Sequence, residues 1–387
     1  MKSITVMLAA MLAAMAALGP ARAAEPAPKP WWKGAVIYEI YPRSFQNSDG
    51  DGLGDLNGIT RRLDYLADLG VDAIWLTPIY PSPQVDFGYD VSDYRAIDPR
   101  FGTMADFDRL VAAAAKRHIR VVMDLVLNHT SDQHEWFKQS RRSRTDPKRD
   151  WYMWRDGRAG GPPNNWISIF GHSGWKYDAL TNQYYLHQFL PEQPDLNWRN
   201  PAVETAMFDA ARFWLDGGVA GFRLDAVTSI YEDPAFRDAK PTGGISNFGD
   251  PNQDRAMTDN LPEVHDVIKR LRKVADGYAG DRLLIGETYL PNVAELDKWY
   301  GTPGNNGGGD ELTLPMDLQL GFADRLDTAT LRARIMDAET GIHRREPLYV
   351  FDNHDQRRTG TGSATVRTTT RSPGWWRPCC SPRATPP

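Results

Sequence analysis

Residues Arg120-Val-Val-Met-Asp-Leu-Val-Leu127 form an apolar run interrupted by one carboxylate, and Asn128-His129 follow it directly. A run this rich in Val, Leu and Met reads as a strand buried on both faces, as in parallel sheets. An Asp inside such a run is a poor strand former and costly to bury unpaired, so it marks a position with a task. The same pattern recurs on both sides. Strands are predicted over residues 35–40 and 73–76 before it, and over 221–224, 282–286, 311–314 and 347–351 after it. Helical spacing of apolar residues predicts helices over 59–69 (stopped by Gly70), 104–118, 201–215, 261–275 and 329–338. Repeated strand-then-helix order predicts an α/β fold with a parallel sheet under helices. Seven or eight such units point to a (β/α)8 TIM-type barrel rather than an open sheet.

The flanking segments differ in kind. Lys2, the uncharged run Ile4 to Leu18, the break at Gly19-Pro20 and the A-x-A site Ala21-Arg22-Ala23 predict a signal peptide over residues 1–23. That run is shorter than the roughly 20 residues needed to span a bilayer, so the expected protein is periplasmic or secreted, with no membrane partner. The barrel is expected in two parts, 24–129 and 201–358, divided by an inserted subdomain over 130–200, too long for a structureless loop. Residues 359–387 hold seven Thr, five Pro and four Arg with no Asp or Glu, against an acidic chain before them. This tail predicts disorder and reads as a shifted frame or a low-complexity linker.

Composition removes several classes of function. Among 387 residues, 45 Lys and Arg face 50 Asp and Glu, a net charge of −5 that offers no basic field for nucleic acid. The two cysteines are neighbours, Cys379 and Cys380, which excludes a disulfide scaffold and a Cys-ligated zinc module.

The strand ends concentrate acids and histidines. They read Asp124-Leu-Val-Leu-Asn-His129, Gly221-Phe-Arg-Leu-Asp225, Leu284-Ile-Gly-Glu287 and Phe351-Asp-Asn-His-Asp355. Barrel active sites form at these ends, and converging carboxylates with a cation between them suit chemistry on a glycosidic bond. In this order and spacing, and with Gln193-Pro-Asp-Leu-Asn-Trp198 added, the chain from Trp31 to about Arg358 resembles the α-amylase superfamily, glycoside hydrolase family 13. Within it the resemblance is to bacterial α-glucosidases and oligo-1,6-glucosidases.

The resemblance implies roles. Asp225 is similar to the nucleophile that forms a covalent glucosyl-enzyme, and Arg223, on the same strand face, is expected to keep it ionised. Glu287 is similar to the general acid and base, a role that asks for a raised pKa. Asp355 is similar to the third carboxylate, and His129 and His354 to hydrogen-bonding partners of the same glucose. Asp124 is expected to orient its neighbours. Asp86 and Tyr89 match a segment that closes the pocket on a non-reducing end, and Phe189 and Gln193 are expected to line its mouth. The implied reaction is retaining, exo-acting hydrolysis of short α-glucosides.

Asn47-Ser-Asp-Gly-Asp-Gly-Leu-Gly-Asp55 places oxygen ligands at alternate positions, like the first part of a calcium loop, but Gly58 stands where a bidentate Glu would complete it. Read alone, a solvated acidic turn is nearly as good an account. The resemblance implies a structural Ca2+ or Mg2+ held by Asn47, Asp49, Asp51, the Leu53 carbonyl and Asp55. No organic cofactor is expected. His118 and His134 are expected on the surface, and the tryptophans of the insertion in its core.

The chain also departs from the pattern. An eighth β/α unit and a C-terminal β-domain are expected to be missing, together with a family Arg that helps hold the terminal sugar. A non-catalytic relic or sugar-binding module is therefore the competing reading, and a trehalose-forming or sucrose-isomerising relative a further one. Ala226, small where relatives that favour 1,6 bonds carry Val, favours α-1,4 linkages.

Overall fold

The computed structural model describes residues 29–303, 308–321, 323, 327–343 and 345–355. The expectations about a signal peptide, the tail and an eighth β/α unit all lie outside the described residues. Among the described residues, seven parallel strands form the main sheet in chain order. They are β1 (Ile37–Ile40), β2 (Ala73–Leu76), β3 (Arg120–Val126), β4 (Gly221–Asp225), β5 (Leu283–Gly286), β6 (Leu314–Asp317) and β7 (Leu348–Tyr349). This is the curled parallel sheet of a TIM-type barrel, as the strand-then-helix order predicts.

Alternation along the strands sorts side chains onto two faces. Ala73, Trp75, Val122, Leu283, Ile285, Leu314 and Met316 turn inward with Trp32 to form an inner cluster. Ile74, Leu76, Val121, Met123, Leu125, Phe222, Leu224 and Leu284 turn outward into a larger core with the helices. Gly221 is needed where β4 meets β5: at φ 151° a Cβ there would lie 2.0 Å from the Leu283 carbonyl oxygen. Two residues further on, the register sets Asp124 beside Arg223 and Arg223 beside Ile285. The inner face thus changes from hydrocarbon to charge at the C-terminal ends of the strands.

The covering helices are α1 (Leu56–Arg61), α2 (Leu63–Asp68), α3 (Met104–Ala115), α4 (Pro201–Asp216), α5 (Glu263–Asp276), α6 (Val293–Lys298) and α7 (Thr328–Gly341). Local chemistry sets their starts. Thr103 and Asp106 form a reciprocal capping box for α3, Asn200 caps α4 ahead of Pro201, and Asp327 caps α7. Two expectations shift. The helix predicted over 59–69 is two helices, because Arg62 leaves the helical region at φ −101° and ψ 3°. The strand predicted over 311–314 lies at Leu314–Asp317, which contains Pro315, a residue that argues against a strand when read alone.

Between β3 and α4, strands Trp154–Arg155, Gln183–Leu186 and Trp175–Asp178 form a small antiparallel sheet. Trp166 and Trp175 pack with Met153, Leu186 and Ala239 in a separate core, so these tryptophans are structural. After β4 comes a hairpin that the sequence did not suggest, Pro241–Ile245 with Pro251–Gln253. It is tied to the insertion by Gln253 Nε2 donating to the Asn165 carbonyl (2.7 Å) and by Asp250 accepting from the His172 N–H (2.7 Å). No helix of the described residues is long and apolar enough to cross a membrane.

Candidate active site

Arg223 is the centre of the site and is fully buried. Its Nη1 donates to both oxygens of Asp124 (3.0 Å each) and to Asp225 Oδ1 (2.5 Å), while Nη2 pairs with Glu287. One cation from β4 therefore gathers carboxylates from the ends of β3, β4 and β5. Glu287 also accepts from the Ala226 N–H (2.9 Å), which ties the β5 carboxylate to the turn after β4. That turn is tight, with Ala226 at φ 45°. Asp124 is held further by Trp75 Nε1 (3.1 Å) and the Tyr89 hydroxyl (3.0 Å), and its own carbonyl accepts from Tyr80 (2.6 Å).

Burial decides the electrostatics here. It pushes the Asp225 carboxyl well above the usual carboxylate range; Arg223 pulls the other way, and the Glu287 and Asp124 charges add to the upward push. The expectation that Arg223 keeps Asp225 ionised is corrected accordingly: the cation acts in the expected direction, but burial and two neighbouring acids outweigh it. Asp124 is pushed by burial up to about 6, against the pull of Arg223.

A second group of predicted residues forms the wall above. Gln193 Nε2 donates to Asp86 Oδ2 (2.8 Å) and lies 3.0 Å from His129 Nε2, so the insertion closes against the loop after β2. Burial pushes His129 down to about 3, leaving it neutral near pH 7. Burial raises Asp86, with Gln193 opposing and Asp90 and Asp355 reinforcing. Phe189 packs on His129 with ring centres 5.0 Å apart. Tyr89 stacks on His354 at 5.1 Å and 8°. His354 Nδ1 bonds Glu39 Oε1 (2.7 Å), joining the segment after β7 to β1, and its Nε2 lies 3.4 Å from Asp355. Burial alone would lower His354, but Glu39 and Asp355 turn the net shift upward.

Asp86, Tyr89, His129, Phe189, Asp225, Glu287, His354 and Asp355 line one cleft of about 1470 Å³, which also contains Tyr41 and Tyr289. Glu39, Trp75 and Tyr289 are additions that sequence reasoning missed. Glu39 carried a usable signal, an acid within an apolar strand, the same mark that singled out Asp124. His134 is a further correction: it is buried, pushed down to about 3 chiefly by burial, and its Nδ1 accepts from Trp136 N (3.1 Å) to cap the helix Glu135–Arg142.

The predicted metal loop is a chain of Asx turns. Asn47 Oδ1 accepts from Asp49 N (2.9 Å) and Gly50 N (2.6 Å), and Asp51 Oδ1 from Leu53 N (2.7 Å). Asp55 accepts from Ser48 N and, as the cap of α1, from Gly58 N, both at 2.7 Å. Among the described residues no group of three or more His, Cys, Asp or Glu side chains is arranged to hold a metal. The all-oxygen donor set is of the type a hard cation takes.

The family description "Alpha amylase, catalytic domain" matches residues 39–372. The α-glucosidase of Schizosaccharomyces pombe is 47% identical over 299 residues, covering 76% of this chain and 50% of that protein. The oligo-1,6-glucosidase of Parageobacillus thermoglucosidasius is 49% identical over 259 residues, covering 67% of this chain and 45% of that protein. The crystal structure of the α-glucosyl transfer enzyme XgtA superposes with a TM-score of 0.82 at 41% identity, covering 88% of this chain and 64% of that one. The chain thus spans about half the length of these two curated relatives. With three strand-end carboxylates on one buried Arg and a matching description over most of its length, the chain belongs to the α-amylase catalytic-domain family.

Proposed function

We propose that this chain cleaves small α-glucosides with retention of configuration, using Asp225 as nucleophile and Glu287 as acid and base. The observation that carries the reading is the shared guanidinium: Asp225 and Glu287 occupy the two terminal nitrogens of Arg223 at the cleft floor. In the first step an Asp225 oxygen bonds the anomeric carbon, the glycosidic C–O bond breaks, and Glu287 gives its proton to the departing oxygen. In the second step water attacks the same carbon, Glu287 takes the proton, and Asp225 leaves as carboxylate. Asp355 faces the developing positive charge, and Asp86, His129 and His354 hold sugar hydroxyls. Tyr89 stands under the ring, and Phe189 and Gln193 shape the mouth. The named α-glucosidase and oligo-1,6-glucosidase relatives support the substrate class.

The small Ala226 at the cleft floor favours α-1,4 over α-1,6 linkages. The Asn47–Asp55 loop is assigned a structural Ca2+ or Mg2+, with no part in the chemical steps. The leader-like pattern over residues 1–23 supports a periplasmic or secreted protein.

Proton NMR of early product from maltose tests the mechanism, with α-glucose expected first. A fluorinated glucosyl fluoride should leave its sugar on the peptide carrying Asp225. β-Glucose first, or a label elsewhere, refutes the assignment. Sugar binding without turnover supports the binding-module reading instead.

A further inference from the structure

Five large apolar side chains stand at the rim of the cleft that holds Asp225 and Glu287: Phe87, Ile169, Phe170, Ile245 and Phe248. Each is more than a third exposed, with Phe248 at 51% and Ile245 at 65%. Exposed Phe and Ile gathered on one rim differ from single surface apolar residues, because together they present a face that water wets poorly. They come from three separate segments, the loop after β2, the insertion and the hairpin after β4, so no single amphipathic element accounts for them.

The rings also form a path. His129, beside the cleft floor, packs on Phe189 at 5.0 Å, and Phe189 meets Phe170 edge-on at 6.1 Å. Gly171 then lies directly against Phe248; a Cβ on Gly171 would fall 2.4 Å from the Phe248 Cβ. The hairpin is thus seated on the insertion, and its Phe is fixed there. Several polar side chains on the same wall are committed elsewhere. Asn252 Nδ2 donates to the Gly243 carbonyl (3.1 Å), and Gln253 Nε2 to the Asn165 carbonyl (2.7 Å). Arg255 Nη2 donates to Gln188 Oε1 (3.2 Å), and Asp250 accepts from the His172 N–H. A hydroxyl-rich leaving sugar needs hydrogen-bonding groups to replace its water, and this wall has spent many of its own.

We propose that the outer cleft is a subsite for an apolar, ring-bearing aglycone, so that the preferred glucosides carry a hydrophobic alcohol rather than a second sugar. Phe170 and Phe248 are its specificity-determining residues. The proposal deepens the glucoside-cleaving reading and rests on it.

The test compares kcat/KM for benzyl and methyl α-glucoside. Both leaving groups are simple alcohols that need comparable acid assistance, so the ratio reports contact with the outer wall. Burying one ring there is expected to favour benzyl by about tenfold. The Phe170→Ala/Phe248→Ala variant is expected to cut that ratio about fivefold; Phe248→Ser alone, at an exposed hairpin position, serves if the double variant does not fold. A wild-type ratio near one, or a ratio unchanged in the variants, overturns the proposal. If neither glucoside is cleaved, the activity reading fails separately. Calorimetric Kd values for the two intact glucosides then decide the subsite, with tighter benzyl binding expected and equal binding overturning it.

Discussion

Asp124→Asn removes one negative charge from the buried cluster while keeping the side chain's shape. The Asp124 carboxylate accepts from Trp75 Nε1, from the Tyr89 hydroxyl and, through both oxygens, from Arg223 Nη1. An amide has only one oxygen, so its NH2 must face either Arg223 or the Trp75 and Tyr89 donors. Breaking one side of a buried pair in this way costs about 2–3 kcal/mol of stability, the lower end because Asp225 and Glu287 still neutralise Arg223. The second effect is on titration. Asp124 and Asp225 both bond Arg223 Nη1, at 3.0 and 2.5 Å. Their oxygens are therefore within about 5 Å, where two unit charges at an effective dielectric of about 20 repel by about 3 kcal/mol. Arg223, which bonds both acids, and partial protonation of Asp124, raised to about 6, weaken this repulsion without reversing it. Because Asp124 raises Asp225, its removal lowers the Asp225 pKa, and the acid limb of kcat/KM on maltose moves to lower pH. Trp75→Phe is the control: it removes a neutral donor, costs about 1 kcal/mol and leaves the acid limb in place. An acid limb in folded Asp124→Asn that stays put or moves upward refutes the charge coupling.

Three further outcomes are expected. Glu287→Gln should lose about a thousandfold in kcat/KM on maltose but far less on a dinitrophenyl α-glucoside, whose leaving group needs no proton; equal losses on both rule out the acid role. Since Glu39 helps hold the folded His354 pKa above its unfolded value, that pair's stability is fully present below about pH 6.5 and fades as pH rises through the folded pKa. Glu39→Gln should therefore cost about 1–2 kcal/mol in urea at pH 5.5 and little at pH 9, and a gap that widens with pH contradicts the pairing. Millimolar Ca2+ or Mg2+ should raise the Tm by about 3 °C, an effect that Asp49→Asn/Asp51→Asn should abolish; an unchanged Tm in wild type removes the metal from the Asn47–Asp55 loop.

What could be read in the sequence shares one physical property: local conflict. An Asp in Val-Val-Met-Asp-Leu-Val, or an Arg and an Asp in Gly-Phe-Arg-Leu-Asp, contradicts its own strand and so advertises a purpose. The predicted strands over 35–40, 73–76, 120–127 and 221–224 fall on β1 to β4 because apolar periodicity is a property of short segments. What was not legible depends on distant partners. Glu39 and His354 are 315 positions apart, and Gln193 and Asp86 are 107 apart, and neither end shows which partner it meets. The hairpin after β4 escaped because Pro-Thr-Gly-Gly-Ile and Pro-Asn-Gln carry turn residues rather than strand formers, and it is held by contacts with the insertion. His134 was misplaced for the same reason: Trp136 is its close neighbour in sequence, but the Tyr94 ring that also packs on it comes from a distant segment.

Charge accounting at the cluster carries the argument one step further. Asp124, Asp225 and Glu287 all contact Arg223, and all four side chains are at least nine-tenths buried. Three carboxylates and one guanidinium amount to two uncompensated negative charges if every acid is ionised, and a site this dry holds such an excess only at high cost. A proton is therefore retained within the cluster in the free protein. Burial raises both Asp124, to about 6, and Asp225, so that proton belongs to the cluster rather than to one fixed acid. Double-displacement chemistry needs that ground state, with one acid charged to attack and its neighbour protonated to assist departure. In the proposed mechanism the substrate separates the two roles: a sugar that takes up the Asp225 lone pair leaves the cluster's proton for the departing oxygen.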